Sequence, residues 1–392
     1  MIILISRTNR INPVRDKTSN ASVGRLWRPV SNGVNKIYAI LAIMFLGVFL
    51  ISNFSYAQPE KEKEANMNNP FGVLEFLHWN HDWNNYKYSS NEEIEKSLKL
   101  MKEAGVGWVR VDFLWQDIEP KAGEFDFVKY DNIVGLADKY GINILGILDY
   151  TSDWASSCGK WNCPPEYTRL FIKFAVKVAN RYAGRVNYWE IWNEPDSGTY
   201  WVPQDGLKSY CAFLKDVYIA LKKANPGCKV LNGGLANGLA SVNRLYDNGA
   251  KDYFDILNVH YFQNPVNKNA IKGVIAYPKL CRKVMARHGD ENKKIWITEI
   301  GCPGVKRGQK TENWWIGSNP TESRQALWVT EVYSELLKDP SVEKVFWAFF
   351  RDTKNHWSNG VDYFGIIRWD FSKKPALKAY KKCYENWKKT DK

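Results

Sequence analysis

Two glutamates stand in short motifs whose residue types suit proton transfer next to a polar ligand. Glu194 lies in residues 188–196, which read YWEIWNEPD, and Glu299 lies in residues 295–303, which read IWITEIGCP. Both motifs begin as apolar runs of strand length, and Pro195 ends the first because proline cannot donate to a sheet ladder. Each carboxylate is therefore predicted at the carboxyl end of a strand. Alone, Glu194 could also be an acid at the start of a helix, so its pairing with Glu299 carries the chemical interpretation.

The residues around Glu194 add an amide, Asn193, and two indoles to the carboxylate. Successive strand side chains point to opposite faces, so Asn193 and Glu194 can reach one ligand only if the strand bulges or turns at its end. Glu190 shares the parity of Glu194 one layer deeper. We expect Glu190 to be a buried carboxylate paired with Arg110.

Behind these motifs, short apolar runs alternate with amphipathic segments from Phe71 onward. Gly105 and Gly141 stand where helices should stop, and Asn91 offers a helix N-cap followed by acids. Eight strand-then-helix units in about 320 residues predict an α/β chain folded as a single (β/α)8 TIM barrel. An open doubly wound sheet is the alternative, but it usually has a glycine-rich phosphate turn after its first strand, and residues 71–85 hold no such turn. The predicted strands are 71–79, 108–115, 142–150, 188–194, 229–236, 255–262, 295–301 and 344–351, and the predicted helices are 91–104, 127–140, 165–182, 207–224, 241–248, 270–288, 321–337 and 375–382.

Aromatic and polar residues stand together at the predicted strand ends, the edge at which active sites of TIM barrels lie. The chain holds 18 Trp, 21 Tyr and 18 Phe, and their ring faces can grip the C–H groups of a sugar. We therefore expect a cleft lined for carbohydrate, with a lid of aromatics that only covers the barrel as the alternative. The candidate substrate-binding residues at these ends and in the loops after them are Trp79, Trp115, Trp154, Trp201, His260, Tyr261 and Trp347.

Strands four and seven face each other across an eight-stranded barrel, so Glu194 and Glu299 can point at one glycosidic bond. Retaining hydrolysis needs one carboxyl that donates and then accepts a proton, and one carboxylate that bonds to the sugar. Here the chain resembles glycoside hydrolase clan A, the barrels with catalytic glutamates on strands four and seven. The forms WEIWNEPD and TEIG look most like its families 39 and 5, and the resemblance covers residues 71–388.

The resemblance implies roles for single residues. Glu194 would be the acid/base, Glu299 the nucleophile and Asn193 the amide that bonds the sugar 2-hydroxyl. Arg110 on strand two would hold the nucleophile ionised, and Trp347 on strand eight would lie beneath the sugar that is cleaved.

The resemblance also places His260 on the family's strand-six position, where the sequence departs from the pattern. An aromatic hydroxyl usually stands two residues after that histidine, but this chain has Phe262 there, with Tyr261 between. The sequence therefore leaves open which side chain bonds the nucleophile.

Residues 1–57 predict a leader for export. Residues 37–51 form a fifteen-residue apolar run after a basic segment, and Ser55-Tyr56-Ala57 suits a signal peptidase. The run is shorter than the ~18–20 apolar residues of a full span, which favours a cleaved, periplasmic or secreted protein over one attached to the membrane by an uncleaved anchor. We expect residues 58–70 to be an unstructured linker and residues 71–388 to be the hydrolase domain.

Composition narrows the partners and cofactors. Residues 1–57 carry +6 of the formal charge of +13, and the rest is spread along Lys-rich helix faces, which indicates solubility and no nucleic-acid partner. Seven cysteines in an exported chain make Cys158 and Cys163 a disulfide candidate, and zinc there would need two further ligands. His78 and His81 are the only close His pair in the sequence, so we expect no metal and no cofactor.

The sequence thus predicts an exported retaining glycosidase whose partner is a poly- or oligosaccharide. A transglycosylase that remodels exopolysaccharide would use the same residues with a sugar acceptor in place of water. A catalytically silent carbohydrate-binding barrel is the alternative from another class. Such a barrel would have no reason to keep both glutamates together with Asn193 and Arg110.

Overall fold

The computed structural model describes residues 61, 63–309, 311–313, 315, 318–357 and 360–390. Its strands are β1 (Phe71–Leu74), β2 (Trp108–Leu114), β3 (Asn143–Asp149), β4 (Tyr188–Ile191), β5 (Lys229–Asn232), β6 (Leu257–His260), β7 (Ile295–Ile300) and β8 (Val342–Ala348). They form one parallel sheet in the order β5-β4-β3-β2-β1-β8-β7-β6. Isolated parallel bridges between Leu231 and Ile256 and between Leu235 and Val259 nearly close this sheet into a barrel. The predicted single (β/α)8 barrel is confirmed, and the alternative of an open doubly wound sheet is wrong.

Helices follow the strands because each amphipathic segment buries its apolar face against the barrel. They are α1 (Asn91–Ala104), α2 (Trp115–Ile118), α3 (Val128–Lys139), α4 (Thr168–Arg181), α5 (Lys208–Ala224), α6 (Leu239–Asp247), α7 (Ala270–Arg287), α8 (Glu322–Leu336) and α9 (Pro375–Thr390). The short helix α2 was not predicted. The N-cap of α1 is Ser90, whose hydroxyl accepts from the backbone N–H of Glu93, rather than the predicted Asn91.

Side chains that point into the barrel form layers, since strand residues two apart share a face. The lowest layer is apolar and brings together residues of five strands, Trp108, Leu145, Leu231, Trp296 and Phe346. The layer above it is polar, and its members are Arg110, Glu190, Asn258 and Thr298. This polar layer is the support on which the strand-end residues rest.

Residues 63–69 lie across the amino end of the barrel. Lys344 donates to the backbone oxygen of Met67 at 2.7 Å, and its ammonium lies 5.4 and 5.9 Å from the rings of Trp108 and Trp296. Met67 itself packs on the lowest layer. The described part of segment 58–70 is therefore packed against the domain, not an unstructured linker, because the aromatic floor would otherwise face water.

The predicted leader, residues 1–57, lies outside the described residues. Export, cleavage after Ala57 and membrane attachment through residues 37–51 therefore stay predictions. In the part of the chain that the structure describes, no helix is both long and apolar enough to cross a membrane.

Candidate active site

The first motif leaves the sheet just before its glutamate. β4 ends at Ile191, three residues earlier than predicted, and Trp192 and Glu194 have left-handed φ values of 70° and 43°. This turn breaks the strict alternation of a strand, so Asn193 and Glu194 both reach groups of the barrel centre. Gly233, just after β5, makes room for the turn because a Cβ there would lie 2.7 Å from the carbonyl oxygen of Trp192.

Arg110 on β2 joins three functional side chains. Its Nε and Nη2 donate to Glu190 at 2.7 and 2.8 Å, Nη2 also donates to Oδ1 of Asn193 at 2.9 Å, and Nη1 donates to Oε1 of Glu299 at 2.6 Å. Both Arg110 and Glu190 are closed to solvent, so each charge depends on the other for compensation. The expected buried pair of Glu190 and Arg110 is confirmed. The sequence left open which side chain bonds Glu299, and in the structure Arg110 does so.

His260, at the end of β6, lies between the two glutamates. Its Nδ1 is 2.8 Å from Oε1 of Glu194, and its Nε2 is 3.1 Å from Oγ1 of Thr298 and 3.7 Å from Oε1 of Glu299. The ring is buried, and this burial lowers the pKa of His260, so the neutral imidazole is favoured. Gly234 permits this position because a Cβ there would lie 2.0 Å from Nε2 of His260.

The two glutamates have different electrostatic surroundings. Burial is the main cause that raises the pKa of Glu194 to about 8, and the charge of Asp196 adds to the rise. Burial also raises the pKa of Glu299, but the charge of Arg110 and its hydrogen bond to Glu299 oppose that rise. Oxygen atoms of the two carboxyl groups lie within 4.8 Å of each other, and the charge of Glu194 raises the pKa of Glu299 further. Glu299, bonded to a guanidinium, is the member better able to stay ionised.

A second pair of buried carboxyl groups lies in the same barrel mouth and was not predicted. Asp112 on β2 is 8% exposed and Asp149 at the end of β3 is fully buried. Burial raises the pKa of both groups, and the charge of Asp112 raises that of Asp149 further. His78, whose pKa burial lowers to about 3, lies 3.8 Å from Asp112 as a neutral ring. Asp112 shares its face of β2 with Arg110, and this parity is the signal that could have found it.

One aromatic wall follows β1 and β8 at the barrel mouth. Phe76 and Trp79 stack with ring centroids 3.8 Å apart, and Phe349 and Trp357 stack at 5.4 Å. Phe76 also touches Phe349, with centroids 4.8 Å apart, which joins the two pairs. The predicted Trp79 thus lies in this wall but is only 5% exposed, and Phe76 and Phe349 are members that sequence reasoning missed.

A second aromatic wall follows β3 and β4. The ring of Tyr150 contacts Trp161 at 4.8 Å and Tyr200 at 6.1 Å, and Trp161 is 45% exposed. Cys158 and Cys163, the predicted pair, are disulfide-bonded with Cα atoms 6.1 Å apart and close the loop that carries Trp161. Burial is the main cause that raises the pKa of Tyr200, and the charges of both catalytic candidates add to the rise, so this wall adjoins the glutamates.

Four aromatic predictions are corrected by burial and packing. Trp115, Trp201 and Trp347 are at most 1% exposed, and they lie in the apolar core between barrel and helices. No face of these indoles is left for a sugar. Tyr261 stacks on Tyr277 of α7 at 4.0 Å, so its ring belongs to the helix layer instead of the cleft.

The remaining predicted contacts divide into two kinds. Trp154 is half-buried beside the barrel mouth, with its Nε1 donating to the backbone oxygen of Glu119 at 2.8 Å. Asn193 accepts from Arg110 and also hydrogen-bonds Tyr150. Arg110 and His260 are each 1% exposed, so neither side chain is open to a bound ligand.

Among the described residues, Glu194, His260 and Glu299 each offer one atom close enough together to ligate a metal ion. These atoms already have partners, because Arg110 bonds Glu299 and the imidazole bonds Glu194. A dication would also lie beside the guanidinium of Arg110. These three side chains are therefore better suited to transferring protons and attacking a carbon atom than to holding a metal.

Comparison with known proteins finds glycosidases that resemble parts of this chain. The family model described as "Beta-galactosidase" (glycoside hydrolase family 42) matches residues 82–147. Beta-galactosidase BgaH of Haloferax lucentense is 43% identical over 54 residues, which are 14% of this chain and 8% of that protein. The chain thus spans a small part of the curated relative's length.

Solved structures resemble the whole domain. A family 39 glycoside hydrolase from Bacteroides cellulosilyticus WH2 is 23% identical with a TM-score of 0.64, over 81% of this chain and 64% of that one. A family 5 (subfamily 18) enzyme from Streptomyces cattleya, in complex with Manb1-4GlcNAc, is 15% identical with a TM-score of 0.64, over 81% and 80% of the two chains. The resemblance to the clan A barrels is confirmed, and at these identities it shows the fold.

Proposed function

We propose that this protein is an exported retaining glycoside hydrolase that cleaves O-glycosidic bonds in a poly- or oligosaccharide. The observation that carries the proposal is the pairing of Glu194 and Glu299, with oxygens within 4.8 Å of each other, one bonded to a neutral imidazole and one to a guanidinium. Carboxyl groups about 5–5.5 Å apart suit direct attack on the sugar, whereas about 6.5–9.5 Å leaves room for an inverting water. An oxygen of each group within 4.8 Å of the other is compatible with the shorter, retaining separation.

In the first step Glu299 attacks the anomeric carbon while Glu194 protonates the departing oxygen. The guanidinium of Arg110 keeps the attacking carboxylate ionised and fixes it through Nη1. Glu194, whose pKa burial raises to about 8, holds its proton at neutral pH and can give it to the leaving group. The C–O bond breaks as the Glu299–carbon bond forms.

In the second step the ionised Glu194 takes a proton from water, which attacks the anomeric carbon and releases Glu299. The environment that keeps Glu194 protonated in the first step makes it a strong base in the second. Two displacements at one carbon restore the original configuration.

Asn193 is the side chain that we expect to bind the sugar beside the reacting carbon. Arg110 donates to Oδ1 of Asn193, which fixes the amide so that Nδ2 is the end that can donate to a hydroxyl. Such a bond strengthens in the transition state of glycosidases. The half-buried Trp154 and the two aromatic walls are the surfaces on which further sugar rings would stack.

Export is supported by the leader pattern and by the disulfide between Cys158 and Cys163, since such bonds persist in oxidising compartments. Fractionation of the source cells with antibody detection tests it. Finding the protein in the cytoplasm with both thiols free would contradict export and leave the catalytic proposal untouched.

The catalytic proposal is tested by the stereochemistry of the first product. A panel of glycosides is hydrolysed in an NMR tube, and the anomer that appears first should have the configuration of the substrate. A 2-deoxy-2-fluoro glycoside with a good leaving group should then label the peptide containing Glu299. An inverted first product would overturn the double displacement.

A further inference from the structure

His260 can contact Glu194 in two ways that differ in where one proton lies. If the neutral ring carries its proton on Nδ1, it donates to an ionised Glu194. If the ring carries its proton on Nε2, the Nδ1 lone pair faces Glu194, which must then supply the proton of the 2.8 Å contact. The neighbours of Nε2 decide between these tautomers.

Two buried amides below the ring have orientations that the backbone fixes. Nδ2 of Asn258 donates to the backbone oxygen of Asn232 at 3.1 Å. Nδ2 of Asn232 donates to the backbone oxygens of Gly233 and Asn258, and the backbone N–H of Asn258 donates to Oδ1 of Asn232. Carbonyl oxygens cannot donate and backbone N–H groups cannot accept, so neither amide can be reversed.

Thr298 on β7 transmits this orientation to the imidazole. Because Nδ2 of Asn258 is committed to the backbone, its Oδ1 faces Thr298 at 2.5 Å and can only accept. The single hydroxyl proton of Thr298 therefore goes to Asn258. Oγ1 of Thr298 then has only lone pairs for His260, 3.1 Å away, so Nε2 must carry the imidazole proton. The nearest oxygen of Glu299, at 3.7 Å, is too far to replace that hydrogen bond.

We propose that Thr298, held by Asn258 and Asn232, is a positioning residue that fixes His260 in the Nε2-protonated tautomer and so assigns the shared proton to Glu194. The inference rests on the proposed glycosidase function for its catalytic meaning, but the tautomer itself is independent of any activity. His260 stays neutral through both steps. The proton moves from Glu194 to the leaving oxygen, and water later returns one proton to Glu194 as its hydroxyl bonds to the sugar.

In this arrangement the proton affinity of Glu194 depends on the lone pair of Nδ1 of His260. After the first step the carboxylate faces Nδ1 without a proton between them, and this opposition favours taking a proton back from water. Other charged or titratable groups that act on Glu194, His260 or their close surroundings are Asp196 after β4, Glu190 on β4, Arg110 on β2, Glu299 on β7 and Tyr200 in the second aromatic wall. A substitution at Thr298 leaves all of these side chains in the protein.

The tautomer is measured directly in the full chain labelled with ¹⁵N-histidine. The chain has five histidines, and His260→Asn assigns the signal. In the unmodified protein at neutral pH the Nε2 signal should be that of a protonated nitrogen and the Nδ1 signal that of a bare one. A protonated Nδ1 would overturn the inference whether or not the protein hydrolyses a glycoside.

The role of Thr298 is tested with Thr298→Val, which keeps the shape and removes the hydroxyl, and with Thr298→Ser as the matched control. Thr298→Val should move the ¹⁵N signals toward the Nδ1-protonated tautomer and lower the alkaline limb of kcat/KM by about one pH unit. Thr298→Ser should keep both properties. Unchanged signals and an unchanged limb in a folded Thr298→Val protein would overturn the role of Thr298. If the unmodified protein hydrolyses no glycoside, the glycosidase proposal is contradicted, but the tautomer measured by NMR is unaffected.

Discussion

Arg110 meets Glu190 through two parallel hydrogen bonds of 2.7 and 2.8 Å, and both side chains are sealed inside the barrel. These two bonds fix the guanidinium, and its third nitrogen, Nη1, donates to Oε1 of Glu299 at 2.6 Å. A residue far from solvent thus determines where the carboxylate of Glu299 lies. Glu190 itself has no direct part in the proposed chemistry, yet it sets the geometry on which that chemistry depends.

Arg110→Lys should lower kcat at least about 100-fold, because one ammonium cannot hold Glu190, Asn193 and Glu299 at once. The ammonium keeps the positive charge but cannot form the two parallel hydrogen bonds to Glu190, so the free energy of unfolding should fall by about 1.5–3 kcal/mol. Steady-state kinetics and urea unfolding measure the two effects. Lys121→Met is the control, since Lys121 forms only an exposed ion pair and should change neither quantity. A fully active Arg110→Lys would contradict the role of Arg110.

Removing each glutamate should leave a different residual activity. Glu299→Ala should abolish turnover of every glycoside, since no covalent intermediate can form. Glu194→Ala should cost about 10²- to 10⁴-fold on natural substrates, because they need proton donation. The loss of the glycosylation step should be far smaller with an aryl glycoside whose leaving group departs unaided.

Azide separates the two roles, because it attacks without a general base. Added azide should restore turnover of Glu194→Ala and give a glycosyl azide of retained configuration, which NMR of the product shows. A retained azide product from Glu299→Ala would reverse the two assignments. An inverted azide from Glu299→Ala alone would support the nucleophile and leave the acid/base role of Glu194 without support.

The pH profile should report the proton of Glu194. Its pKa of about 8 lies above the usual value, so the protonated acid that the first step needs is present at neutral pH and is lost as the pH rises through 8. The alkaline limb of kcat/KM should therefore lie near pH 8. The acid limb follows the ionisation of Glu299, whose pKa burial raises. An alkaline limb that stays in Glu194→Ala would assign it to another group.

Replacing one of the two buried aspartates should stabilise the protein. The pKa of Asp149 is raised in the folded protein above its ordinary value of 3.8, so its carboxyl contributes least to stability once the pH exceeds the folded pKa. Asp149→Asn keeps a hydrogen-bonding group beside Asp112 and removes that cost. The Tm at pH 8 should rise by at least about 2 °C. The gain should vanish near pH 3.5, and Asp153→Asn, at an exposed position, should show no such pH dependence.

Much of the architecture could be predicted because it depends on local patterns. The alternation of apolar and amphipathic segments indicates the barrel, and Pro195 indicates where a strand stops. Glu194 and Glu299 follow from that, since residues at strand ends of a barrel meet at one face. Glu190 could also be paired with Arg110 because opposite charges one layer down need a partner.

The direction of single aromatic side chains could not be predicted in the same way. Trp347 stands near a strand end, but its neighbour Ala348 points into the barrel and the indole points to the helices. The inward face depends on the register of β8 against β1 and β7, which no local pattern gives. Tyr261 failed for a similar reason, since a ring of α7 offered a stacking partner. Thr298 could not be predicted, because a lone threonine in an apolar strand has no sequence signature.

The amino end of the barrel gives a boundary for maturation of the chain. Lys344 is an ammonium inside an aromatic floor, and the backbone oxygen of Met67 is its hydrogen-bond acceptor. A chain processed after Ala57 keeps that oxygen and the residues that carry it. A chain trimmed to begin at Phe71 would lose this acceptor. The ammonium of Lys344 would then lie beside the two indoles at an uncovered end of the barrel. The short segment before β1 therefore closes the amino end of the barrel, and a recombinant domain should begin ahead of it.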